Sequence, residues 1–470
     1  MGNNNVKALK SGIWYTAANF LVNGIGLITT PIFSRLLTHT DFGAYSNYAS
    51  WLSIFSLITT LNLETSFISA RFEFEDRFEQ YVLSSLVLSS ISIVTWFAVI
   101  NVAYKQIQHL LNIDRIFINC MMVYLLLRTA VHMFQIQERY YYRYKNSVFI
   151  SLVIAIGTAV ISVLLVVIMK DKLAGRIFGS VIPTVIIGLF IYGHILTKGK
   201  KIDTTFWKYA IPICLPYIPH LLSMTLLGNM DRIMITQICG ESDTALYTLA
   251  YNCGAVVTIL LTSLNTAYTP WLGEKLHNKS YSEIRNFSKK YVICFVYLTI
   301  GIMMLTPELL LILGGKSYME AKRVMPPVTC GIAFQFLYTL FVNVEQYNKK
   351  TFGMAFGSVS AALLNYVLNL YFIPRYGYPA AAYTTLAGYI WLLCVHMILV
   401  KRIHFDHVYD YKFIIFVAVM MNVLTIGVNF LYKNNTIRMI GIIFYLVISF
   451  VTVVKNKEMI FKFYYKLKAR

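Results

Sequence analysis

Chemistry in this sequence rests on a few ionisable residues set inside apolar stretches. Arg128 is the clearest, in the run Tyr124-Leu-Leu-Leu-Arg128-Thr-Ala-Val-His132. In a helix, His132 stands one turn further along the same face. A charge deep in hydrocarbon is costly, so it faces a cavity or a partner. Arg128 is therefore a candidate cationic lining for an anionic substrate; the plainer alternative is a structural pair with a carboxylate on another helix. Arg35, Arg71 and Arg232 are further cationic candidates, and Glu64, Asp231 and Glu345 are candidates to hold a coupling ion, H+ or Na+. All six lie near the ends of apolar stretches, where snorkelling to the interface is an equally simple role. Asp231 and Arg232 are adjacent, so they point different ways and do not neutralise each other. Asn19, Asn23 and Asn365 are polar lumen candidates that would hydrogen-bond sugar hydroxyls; their plainer role is to tie helices together.

Catalytic signatures are missing. The chain has no GxxxxGK[ST], HExxH or GxSxG pattern, and Gly314-Gly315-Lys316 is too short to cradle phosphate. His404 and His407 form an isolated pair in a loop, and the seven cysteines form no CxxC, so no metal site or cofactor is expected. A transporter fits this inventory better than an enzyme does.

The elements that must position these residues are membrane helices. The chain of 470 residues is 57% hydrophobic and 13% charged, with a mean hydropathy of +0.61. Soluble domains carry roughly 25% charged residues. Apolar runs long enough to span lie at about 13–33, 42–63, 81–104, 116–136, 147–169, 177–196, 209–229, 245–265, 291–313, 325–344, 352–372, 379–400, 411–431 and 437–454. The expected fold class is thus an all-α polytopic membrane protein of about 14 transmembrane helices. The first run lacks a cleavage pattern and reads as a membrane span, not a signal peptide. With the N-terminus cytoplasmic, 27 of the 41 lysines and arginines fall on the inner side and 13 on the outer, leaving Arg128 within a span. That bias places both chain ends in the cytoplasm and explains much of the net charge of +20, without invoking nucleic acid. The basic tail, Lys455 to Arg470, would lie on the inner leaflet. No loop exceeds about 25 residues, so none houses a soluble catalytic domain.

Pro212, Pro216 and Pro219 interrupt the seventh run and are hinge candidates, because each removes a backbone donor. A faint internal similarity aligns Asp41-Phe-Gly-Ala-Tyr45 with Asp243-Thr-Ala-Leu-Tyr247. It suggests two parallel six-helix lobes, residues 1–200 and 201–400, followed by two extra helices and the tail at 401–470.

Three segments carry a family resemblance. Thr30-Pro-Ile-Phe-Ser-Arg-Leu-Leu-Thr-His-Thr-Asp-Phe-Gly-Ala-Tyr45 resembles the first-helix signature of the Wzx-like oligosaccharide flippases. These are polysaccharide biosynthesis proteins of the multidrug/oligosaccharidyl-lipid/polysaccharide exporter superfamily. Asn365-Tyr-Val-Leu-Asn369, Ile373-Pro-Arg-Tyr-Gly377 and Pro379-Ala-Ala-Ala382 resemble the family's LN…LIPxYGxxGAA pattern, with Pro379-Ala380 where Gly-Ala is common. Asp231-Arg232 and Tyr247 also fit, and the likeness runs to about residue 400. It implies a flippase of the bacterial cytoplasmic membrane that moves undecaprenyl-pyrophosphate-linked oligosaccharide for surface polysaccharide such as O-antigen, capsule or exopolysaccharide. Alternating access, membrane lipids, and a polysaccharide polymerase and chain-length proteins as partners would accompany that role. A drug or organic-cation exporter of the same superfamily would want mid-span carboxylates, and a polymerase or ligase would want a large outer loop.

Overall fold

The computed structural model describes residues 3–455 except Tyr142, Lys350 and Asp406; the basic tail beyond Lys455 lies outside the described residues. The described residues form eighteen α-helices. The N-terminal lobe holds α1 (Asn3–Leu36), α2 (His39–Thr60), α3 (Phe67–Glu73), α4 (Phe78–Val102), α5 (Tyr104–Leu111), α6 (Arg115–Tyr140), α7 (Tyr144–Ile168) and α8 (Lys172–Gly199). Then follow α9 (Thr205–Cys214), α10 (Ile218–Ile238), α11 (Glu241–His277), α12 (Tyr281–Met304), α13 (Thr306–Leu313), α14 (Met325–Tyr347), α15 (Thr351–Tyr376), α16 (Pro379–Arg402), α17 (Tyr411–Leu431) and α18 (Asn435–Lys455).

Eleven of the described helical segments are long and apolar enough to cross a membrane, and twelve if α2 and α3 form one span bent by 55°. The remaining two apolar runs of the sequence correspond to the shorter segments Phe20–Leu36 and Asn435–Ser449. The bend after α2 falls at Leu61 and Asn62, both in the left-handed region with φ of 57° and 49°. Side-chain caps start several helices: Thr38 accepts the Asp41 amide, Asp171 that of Ala174, and Asp410 that of Phe413.

Burial separates the helices by role. Phe149, Val153, Ile156, Val160, Leu164 and Val167 form one exposed stripe on α7. Water would penalise such a stripe, and lipid does not. Of the apolar stretch of α14, 83% is buried, which makes it the central post of the C-terminal lobe. Helices α15 and α16 pack on each other, α14 on α16, and α10 on α15. Ile414, Val417, Met421 and Val428 bring α17 into the same core, whereas α18 attaches through an Arg438–Glu308 ion pair and the Tyr297–Tyr445 ring contact.

The lobes change partners at the proline cluster. Phe206, Ala210 and Cys214 of α9 belong to the core of the N-terminal lobe, although they follow residue 200. Trp207 donates to the Ser84 carbonyl, and Arg77 pairs with Asp203. The Asp203 carboxyl is held below the ordinary carboxylate range by the Thr205 hydroxyl and amide and then by Arg77. Leu227, Met234 and Ile235 of α10 belong to the other core. Between them the chain tightens into a 3-10 turn at Leu215–Tyr217, with Pro212 before it, Pro216 inside it and Pro219 just after.

Candidate functional site

A cavity of about 710 Å³ lies between the lobes, within the 300–1,000 Å³ usual for ligand pockets. Helices α1, α2 and α8 supply one wall, and α10 and α11 the other. Ser46, Ser50 and Ser53 line it at a spacing of four and then three residues, which keeps them on one face of α2. Thr29 and Thr30 add hydroxyls from α1, and Asn229 and Asn252 add amides from the other lobe.

Its charges are Arg176 and Arg232; none of the described lining residues is a carboxylate. Arg176 donates to Ser162 Oγ at 2.9 Å and lies 3.9 Å from the Phe33 ring centroid and 4.2 Å from that of Tyr45. Arg232 donates to the Gly228 carbonyl at 3.0 Å and lies 4.6 Å from the Tyr251 ring centroid. Aromatic faces stabilise the two guanidinium groups without neutralising them. Neither group forms an ion pair among the described residues. The site can therefore hold an anion beside a hydroxyl-rich surface.

One end of the cavity is shut. Ser34 donates to the Leu313 carbonyl and Arg35 to that of Ile312 at 2.8 Å, both across the lobes. Gln237 donates to the Leu110 carbonyl at 2.6 Å, and His39 meets the Tyr318 ring at 4.3 Å. Gly43 approaches the start of α11 so closely that a β-carbon there would fall 1.7 Å from the Glu241 carbonyl oxygen.

Asp231, next to Arg232, points away from the cavity into the C-terminal lobe and is 2% exposed. It accepts hydrogen bonds from Tyr247 of α11 (2.5 Å), Thr385 of α16 (2.5 Å), and Asn369 and Asn365 of α15 (2.8 and 3.4 Å). Thr384 in turn donates to Asn369. Four helices thus converge on one buried carboxylate, whose charge neutral donors satisfy by hydrogen bonding.

The sequence candidates divide accordingly. Arg232 and Asn23 line the cavity. Asn365 does not; it is fully buried in the Asp231 cluster, because α15 turns that face toward α10 and α16. Arg128 also lies outside the main cavity, because α6 packs on α4 and α8 instead of facing α10 and α11. It lines a separate pocket of about 210 Å³ with Thr60, Asn62, Glu64 and His132, and His132 Nδ1 lies 3.2 Å from Glu64. Arg35 belongs to the closed end and not to the cavity wall. Arg71 is used elsewhere, paired with Glu75 at 3.5 Å and set over the Tyr141 ring. Glu345 is buried against His396. The Asn19 side chain lies outside the described residues. Arg176 was hidden by its position at the start of an apolar run, where it reads as an outer-loop charge.

Comparison with known proteins assigns this architecture. Residues 8–275 match the family model described as polysaccharide biosynthesis protein, and residues 216–371 match the model described as MatE. The chain belongs to the polysaccharide biosynthesis protein family. Over 382 residues it is 25% identical to "Lsg locus putative protein 1" of Haemophilus influenzae, covering 78% of this chain and 91% of that one. In fold it resembles the lipid II flippase MurJ in an inward closed conformation, with a TM-score of 0.70 at 13% identity over 95% of this chain and all of the other. It also resembles an inward-facing multidrug resistance MATE family transporter of the MOP superfamily, with a TM-score of 0.60 at 13% identity over 84% and 95% of the two chains. Of these fold neighbours, one is a lipid II flippase and the other a multidrug resistance transporter.

Proposed function

We propose that this protein flips undecaprenyl-pyrophosphate-linked oligosaccharide across the bacterial cytoplasmic membrane, for surface polysaccharide synthesis. The observation that carries the reading is the inter-lobe cavity, with two unpaired arginines, many hydroxyls and no carboxylate among its described lining residues. The pyrophosphate would meet Arg176 and Arg232 in charge-assisted hydrogen bonds. Ser46, Ser50, Ser53, Asn229 and Asn252 would meet sugar hydroxyls, and the polyprenyl tail would stay in lipid between the lobes. The basic-residue bias puts the shut end of the cavity on the outer side, so this conformation is the one that loads cargo from the cytoplasm. Movement about the Leu215–Tyr217 turn would then exchange access. Arg128, with His132, would be a weaker waiting point nearer the inner side. The driving ion, H+ or Na+, would bind at Asp231.

The test is flipping of fluorescent lipid-linked glycans in proteoliposomes. Wild type is expected to flip a pyrophosphate-linked glycan, and Arg176→Ala and Arg232→Ala each to slow it about tenfold or more, the scale of one lost charged hydrogen bond. Efflux of cationic dyes with no glycan flipping would overturn the reading in favour of an organic-cation exporter.

A further inference from the structure

Glu345 and His396 form an ionisable pair that the cargo cavity does not use. Their side chains are 1% and 3% exposed, and His396 Nδ1 lies 2.8 Å from Glu345 Oε1. Glu345 Oε2 is buried with no hydrogen-bond partner among the described residues. It faces Gly353, where an added β-carbon would stand 3.5 Å from it, in ordinary contact. The pair is held by three helices: Glu345 on α14, His396 on α16, and Gly353 and Gly357 on α15. His396 Nε2 abuts Gly357, 3.1 Å from where a β-carbon there would stand. The next residue, Ser358, lies 2.8 Å from His220 Nδ1, and His220 directly follows Pro219 at the break between the lobes.

We infer that Glu345 and His396 together form a second proton-binding site, which reports its load to the α9–α10 break through α15 and His220. This inference rests on the transport reading above but not on the identity of the cargo. With Nδ1 protonated and Glu345 ionised, neutral His396 leaves the pair one negative charge. One further proton, on His396 Nε2 or Glu345 Oε2, makes the pair neutral overall. An uncompensated buried charge is strongly disfavoured, so the sealed geometry seen here corresponds to the loaded pair. Release requires water to reach the pair, and that requires α10 and α15 to shift against α16.

The surroundings leave the pair to set its own charge. Tyr338 of α14 stacks on the His396 ring at 5.7 Å, and Tyr251 of α11 interacts with Tyr338. His220 of α10 is near enough to His396 for their charges to interact. From α17, the Tyr411 hydroxyl reaches the Met397 carbonyl beside His396. Among the described residues, no lysine, arginine or second carboxylate forms an ion pair with either member. A charged His396 opposes a charged His220, so proton load at one end of this strip alters the electrostatics of the break itself.

The experiment compares wild type, Glu345→Gln, His396→Asn and Asp231→Asn in proteoliposomes. Flipping of a fluorescent lipid-linked glycan is followed from pH 5.5 to 8 with and without an imposed pH gradient, and folding is checked by thermal melting. Glu345→Gln mimics the loaded pair. It is expected to fold with an unchanged or raised melting temperature, to slow flipping about tenfold, and to flatten the dependence of flipping on pH. Wild-type pH profiles in both Glu345→Gln and His396→Asn would overturn the inference. If Asp231→Asn alone loses its response to ions, the coupling site at Asp231 stands and this one falls. If all three variants flip with the wild-type pH profile, the Glu345–His396 site falls, Asp231 is left as a Na+ site only, and the cargo reading survives.

Discussion

Asp231 and Arg232 are neighbours on α10, yet they serve two regions of opposite character. Arg232 faces a roomy inter-lobe cavity that holds cations, hydroxyls and aromatic rings. Asp231 faces a sealed cluster in which one carboxylate collects four hydrogen bonds from neutral side chains. The cavity keeps its charges unpaired and accessible, as a site for an exchangeable anion must. The cluster surrounds its charge with fixed donors, as a buried carboxylate requires. Helix α10 joins the two, and it starts at the proline break. Under the proposed function, cargo and ion would act on α10 from opposite sides.

This contrast predicts where substitutions act. The largest effect is expected for the double substitution Arg176→Ala/Arg232→Ala. Loss of two charged hydrogen bonds, at about 1.5–3 kcal/mol each, should slow flipping of a pyrophosphate-linked glycan by at least roughly 100-fold. Thermal stability should hardly change, because neither arginine is part of an ion pair; a large fall in melting temperature would make them structural instead.

Next comes the cluster, where the pattern reverses. Asp231→Ala orphans buried donors on three helices and should cost on the order of 3–5 kcal/mol of stability, read as a lower melting temperature. Asp231→Asn should fold and bind glycan normally but lose the response of transport to Na+ or H+ gradients. Full gradient response in Asp231→Asn would remove the coupling role and leave the cluster as structural glue.

Gly43→Ala tests the shut end. A β-carbon 1.7 Å from the Glu241 carbonyl cannot be accommodated without parting α2 from α11. Cysteine-labelling rates at Asn112, introduced as Asn112→Cys beside Glu241, should rise several-fold in the Gly43→Ala background. An unchanged rate would show that the end does not open there.

The smallest effect is expected for Arg128→Ala, a few-fold slowing at most, because its pocket is separate and Glu64 shares it.

Much of the scaffold was legible from hydropathy, because spanning a membrane demands long apolar runs whatever the tertiary structure. The proline break was legible too, since Pro212, Pro216 and Pro219 act locally. The cavity was legible only in part. Arg232 and Asn23 stood out by position, but Arg176 sits one turn into α8, where hydropathy treats a charge as a loop residue. Arg128 looked central because depth along a helix can be counted in residues. Sideways position cannot, and the packing of α6 on α4 and α8 sets it. Asn365 and Asn369 lie four apart and so share a face, but their partner Asp231 is more than 130 residues away and only the fold supplies it. The motif that marks the family there reads as a bed for a buried carboxylate, while Gly377, at φ +70°, and the buried Ala380 to Ala382 make the turn and the close helix contact beside it.

The most direct test of the central claim is equilibrium binding to the purified protein of a lipid-linked glycan bearing pyrophosphate, against the same lipid and glycan joined without phosphate. The account predicts at least tenfold tighter binding of the pyrophosphate form by wild type, weakened by salt, and no preference in Arg176→Ala/Arg232→Ala. Equal binding of the two lipids by wild type, or an undiminished preference in the double variant, would contradict it.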